Sequence, residues 1–177
     1  MLLRPIQFFV FWVMLKGVLG SPRINSLLAN TIVARNNISM VECWAIEPGF
    51  QLSNVSGTVG DQVLQLGNIA NAVYIIIPDD NGKPNDGGLH NGAHSQWVFA
   101  LTGGVNVSFP EAPGGFSVAA GGIFISTDIR GTSTLGHRSL WAAGSIFIQA
   151  PFPDGIAVNH TVVAQSSCEE YELARTF

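Results

Sequence analysis

An all-β domain is predicted by three features of the sequence. Short runs rich in β-branched and aromatic residues recur along it, turn signals separate them at close intervals, and the composition suits neither long helices nor disorder. Of the 177 residues, 47% are hydrophobic and 11% charged, with 20 glycines and 9 prolines. So apolar a chain with so little charge is not a disordered one. Its length suits one domain with its own core. The formal charge is −4 and basic residues nowhere cluster, which excludes the electrostatic footprint of a nucleic-acid binder.

The N-terminus predicts a targeting segment. Arg4 precedes an apolar run, Ile6–Leu19, broken only by Lys16. Val18-Leu19-Gly20 offers a small residue at −1 and an acceptable one at −3 of a signal-peptidase site, so cleavage is expected after Gly20. The run is short of the ~20 residues a membrane span needs, and no later segment qualifies. Removing residues 1–20 would delete Arg4 and Lys16 and leave the chain two charges more negative. Secretion agrees with four Asn-x-Ser/Thr acceptor sites, at Asn37, Asn54, Asn106 and Asn159. It also agrees with two cysteines, Cys43 and Cys168, an even number that favours a disulfide in an oxidising compartment.

Residues 21–38 are expected to form an arm or short helix, since Leu27, Leu28, Ile32 and Val33 follow no clean alternation. Residues 39–177 carry the β domain. Strands are predicted near Ser39–Ile46, Gly57–Leu66, Ala72–Ile77, His94–Leu101, Val105–Phe109, Gly115–Ala119, Gly122–Thr127, His137–Ala142, Ser145–Ala150 and Val158–Ala164. The turn signals include Asp79-Asp80-Asn81-Gly82, Pro84-Asn85-Asp86-Gly87-Gly88, Gly103-Gly104, Pro113-Gly114 and Pro153-Asp154-Gly155. Val73–Ile77 and Ile146–Ile148 are almost wholly apolar, as strands covered on both faces are. No repeat or linker divides the chain.

One stretch carries chemistry. In Gly88-Leu89-His90-Asn91-Gly92-Ala93-His94-Ser95-Gln96-Trp97-Val98, residues of equal parity share a face of a regular strand, which would place His90, Gly92, His94 and Gln96 together. The segment Gly87–Gly103 resembles the first conserved motif of the cupin superfamily. His90 stands at its first histidine place, Gly92 at the second, Gln96 at the glutamate place and Gly103 at the closing glycine. Gly121-Gly122-Ile123-Phe124-Ile125-Ser126-Thr127-Asp128 with Gly136-His137 is similar to the second motif as cupin-like proteins of fungi and bacteria carry it. The likeness spans roughly residues 40–165. It implies a single cupin-type double-stranded β-helix, a closed jelly-roll barrel, with His90, His94, Gln96 and His137 facing its interior. It also implies that two copies pair through an edge sheet.

A cupin ion needs about three histidines and a carboxylate. Here Gly92 and Phe124 stand at two ligand places and Gln96 replaces the carboxylate, so no metal or other cofactor is expected. An ion held by His90, His94 and His137 is the alternative these residues leave open. Without an ion, the pocket is expected to hold an apolar small molecule among Tyr74, Trp97, Phe124, Trp141 and Phe147, with the histidines and Gln96 as its polar groups. Histidine titrates near neutral pH and serves as general acid or base. The expected function is therefore dehydration or stereoselective cyclisation of a natural-product intermediate. The small, secreted, glycosylated design is similar to that of fungal hetero-Diels–Alderases. The alternatives are a non-catalytic carrier or effector-like module, and a metal-dependent dioxygenase or isomerase. No Gly-x-Ser-x-Gly elbow, phosphate-binding loop or Cys-x-x-Cys pair is present.

Overall fold

The computed structural model describes residues 26–175, so the targeting segment expected at residues 1–20 lies outside the described residues. The described chain is mostly β. In order it runs β1 (Leu28–Arg35), β2 (Ile38–Ile46), β3 (Gln51–Leu52), β4 (Gln62–Val63), β5 (Val73–Ile76), β6 (Asn85–His90), β7 (Gln96–Thr102), β8 (Gly104–Ser108), β9 (Gly115–Ala119), β10 (Ile123–Ser126), β11 (His137–Trp141), β12 (Ile146–Pro151), β13 (His160–Ala164) and a short helix α1 (Cys168–Ala174). Among the described residues no helix is long and apolar enough to cross a membrane.

A seven-stranded mixed sheet, in order β13-β2-β1-β10-β7-β12-β5, packs on a four-stranded sheet, β6-β11-β8-β9. The pair β1–β10 is parallel and the other pairs are antiparallel. The ladders do not close into the barrel expected from the resemblance: each sheet ends in unpaired edges, β13 and β5 on one and β6 and β9 on the other. Burial follows the pleat. Ile32, Val98, Ala100, Phe124 and Phe147 of the large sheet meet Val105, Val107, Phe116, Val118 and Trp141 of the small one. On the large sheet's other face, Ala29, Val33, Trp44, Ile46, Trp97 and Ile125 form a second cluster, covered by Leu64, Leu66 and Phe152 from the connecting segments.

The arm or helix expected at residues 21–38 is not formed. Residues Leu28–Arg35 are an interior strand, flanked by β2 and β10. Ile32 faces the core between the sheets while Ala29 and Val33 face the outer cluster. A strand buried on both faces shows no polar alternation, which is why its pattern resembled none. The β1–β2 turn sits on Asn36 and Asn37, both at positive φ, the backbone of a primed hairpin turn. The strand expected over Gly57–Leu66 is mostly exposed loop, with only Gln62–Val63 paired. The segment Asn85–Gly88, read as a turn, begins edge strand β6.

Cys43 and Cys168 are joined across 125 residues, tying β2 to α1. The four glycan-acceptor asparagines are all exposed: Asn37 in the β1–β2 turn, Asn54 in the β3–β4 loop, Asn106 on β8 and Asn159 before β13.

Arg138 of β11 forms a two-pronged ion pair with Asp86 of β6. This hydrogen bond, helped by the Gly88 N–H, holds the Asp86 carboxyl down to about 2 from 3.8. A carboxyl depressed by folding stabilises the fold above its unfolded value, and that contribution is lost as pH falls through the folded value. Asp86→Asn should therefore lower the thermal midpoint slightly above pH 3.8, with the difference vanishing towards pH 2. Thermal melts of parent and variant across that range check this. A difference that ignores pH would contradict it.

Candidate functional site

The two sheets bring together what the sequence separates. His90 ends β6 and His137 opens β11, and the two are register partners in the small sheet. Their rings lie 4.5 Å apart between centroids at an angle of 54°. Gly136 makes this approach workable. A Cβ there would lie 2.1 Å from the His90 carbonyl oxygen, and its φ of +71° also favours glycine.

The expectation that His90, Gly92, His94 and Gln96 share one strand face is not met. The strand stops at His90, residues 91–95 carry the chain from the small sheet to the large one, and β7 starts at Gln96. His90 and Gln96 nonetheless converge from opposite sheets. They line a cavity of about 190 Å³ with Gly92, Val98, Phe124, Ser126, His137, Ser139, Trp141 and Gln149. His94 is exposed and does not line it.

Of the expected pocket aromatics, Phe124 and Trp141 line the cavity. Phe147 lies behind Trp141, stacked on it at 3.9 Å. Trp97 is fully buried in the outer cluster with its indole N–H on the Leu66 carbonyl, because it points to the opposite face of β7 from Val98. Tyr74 is 59% exposed on edge strand β5, beside exposed Val73 and Ile76, and takes no part in the cavity. His160 is half-buried and stacks on Trp44.

The group that sequence reasoning left without a role is Asp128. It is fully buried, and three donors converge on its carboxylate. Ser126 Oγ donates to Oδ1 at 2.9 Å, Ser39 Oγ to Oδ2 at 2.8 Å, and His137 Nδ1 to Oδ2 at 2.8 Å. The network continues from Ser39 to Ser133 and Asn91. With Nδ1–H held by the carboxylate, His137 is set in one tautomer, and Nε2 is the nitrogen left for a ligand. Among the described residues no serine hydroxyl is hydrogen-bonded to His137. The arrangement is thus a base with its orienting acid, without the nucleophile of a triad. Ser39 could not have been found from sequence, since it lies 89 residues from Asp128.

The residues do not fit the ion a cupin site would hold. At Gly92, the second histidine place, a Cβ would come within 2.7 Å of Ser126 Oγ. Gln96 presents a neutral amide and Phe124 no donor. Among the described residues no three His, Cys, Asp or Glu side chains gather as a metal site would require. No protein-family model, curated protein or solved structure was found to match the chain.

Proposed function

We propose that this chain is a secreted, cupin-type enzyme that carries out acid–base dehydration and stereoselective cyclisation of a natural-product intermediate, with its own histidines as the catalytic groups. The reading rests above all on one observation: a buried carboxylate orients the imidazole of His137 inside a cavity walled by Phe124, Trp141 and Val98. The disulfide and the four exposed acceptor asparagines support the secretory route. The two packed sheets and the convergence of both motif segments support the cupin-type jelly roll.

The chemistry follows from the pair of rings. On a 2-(hydroxymethyl)phenol unit, His137 Nε2 takes the phenolic proton while protonated His90 delivers a proton to the benzylic hydroxyl. Water leaves and a quinone methide remains. Its oxygen and exocyclic carbon then add across an alkene, forming one C–O and one C–C bond with no further loss of atoms. The adjacency of the rings lets the proton gained by His137 return to His90. The cavity contributes by holding the diene in one orientation.

The test uses 2-(hydroxymethyl)phenol with an electron-rich cyclic enol ether, the product being resolved by chiral chromatography. The parent should give chiefly one enantiomer, and His90→Ala or His137→Ala should return racemic product at the buffer rate. Racemic product from the parent would overturn the catalytic reading and leave a carrier.

A further inference from the structure

We infer that the molecule this cavity accepts is a compact hydroxylated ring whose hydroxyl donates a hydrogen bond to Gln96 Oε1; the inference rests on the cavity being the ligand site proposed above. Gln96 is 97% buried, being only 3% exposed. Its Oε1 is the one buried side-chain polar atom without a hydrogen-bond partner among the described residues. Buried carbonyl oxygens almost always have a donor, because leaving water without a replacement is costly. The protein supplies none, so the donor is expected to arrive with a ligand.

The surroundings decide what kind of donor it is. A cation would have to be paired at contact, and no carboxylate lines the cavity, Asp128 lying behind Ser126 and His137. The remaining polar neighbours are the rings of His90 and His137, the neutral amides of Asn91 and Gln149, and serine hydroxyls. A neutral O–H is therefore favoured over an ammonium. The apolar walls, Phe124, Val98 and Trp141, suit a ring. The volume of about 190 Å³ equals roughly six liquid-water molecules, enough for one substituted ring. A larger molecule would leave its remainder outside, past exposed His90.

Phenol and anisole separate the idea from its rivals. They match in shape, but anisole has no proton to donate. Binding to the full chain is followed by NMR titration of the Gln96 side-chain amide and the His137 ring. Phenol should bind about ten-fold tighter or better. Gln96→Leu should bring phenol down to the affinity of anisole. Equal affinities in the parent would overturn the inference, as would a cavity that takes up neither probe and holds only water. If Gln96→Leu fails to fold, Gln96→Met takes its place, because the ratio in the parent alone would not separate Gln96 Oε1 from His137 Nε2 as the acceptor. The readout involves no turnover. A phenol preference without catalysis would sink the enzyme reading and keep this one, whereas catalysis without the preference would do the reverse.

Discussion

Asp128→Asn should lower turnover in the cavity by about 10²- to 10⁴-fold, the range general acid–base groups contribute, with little change in KM. Asp128 touches no ligand, since it lies behind His137 and is fully buried. Its effect is on which nitrogen of His137 carries the proton. A carboxylate only accepts, so Nδ1 must donate and Nε2 is left as a base. An asparagine can turn its NH₂ to Nδ1, which would place the proton on Nε2 and abolish the base. The variant also loses an acceptor where three donors converge, at a stability cost of about 1–3 kcal/mol. The control is Asp128→Glu, which keeps the acceptor and should recover part of the rate. A steady-state kinetic comparison of the three proteins with the phenol substrate checks the prediction. An Asp128→Asn variant with the kcat of the parent would contradict it.

The largest effect on stability is expected from Cys43→Ala with Cys168→Ala. The bridge closes a separation of 125 residues. A loop of that size restricts the unfolded chain by about 4–5 kcal/mol on the chain-entropy account. Domains of this kind are stable by roughly 5–15 kcal/mol, so the loss is a large fraction of the total. A local effect adds to it. Helix α1 has seven residues, too few to persist alone, and it is held by its cap on Ser167 and by Asn30. Asn30 Oδ1 accepts from the Cys168 N–H at 2.7 Å, and its Nδ2 donates to Glu169. Once the bridge is cut, the tail is held by noncovalent contacts such as these, without a covalent tie. Urea unfolding of the double variant should show a midpoint far below that of the parent, and reduction of the parent should reproduce it. Coincident curves would contradict the account.

What was legible in the sequence followed from local chemistry. Strands β7 to β12 lie close to where β-rich runs between Gly/Pro turns put them, and β8, β9 and β11 also alternate because only one of their faces is in the core. Strand β1 was hidden because both its faces are buried, although Asn36-Asn37 could have been read as its hairpin turn. The segment Asn85–His90 was masked by its own glycines: an edge strand tolerates the turn-like Asp86-Gly87-Gly88 since it pairs on one side only. The site was half legible. His90, Gln96 and His137 were marked by type and spacing, and they do converge. The assumption of one continuous strand misplaced His94, because parity arguments fail where the chain changes sheets. Asp128 needed the fold, for its partners Ser39 and His137 come from two different strands.

The measurement closest to the central claim is the ¹⁵N NMR spectrum of the His137 imidazole in the ligand-free chain at neutral pH. The account predicts that Nδ1 carries the proton shared with Asp128, that this proton leaves the downfield hydrogen-bonded region in Asp128→Asn, and that Nε2 shifts when phenol is added. A ring protonated at Nε2, or one indifferent to both Asp128 and phenol, would contradict it.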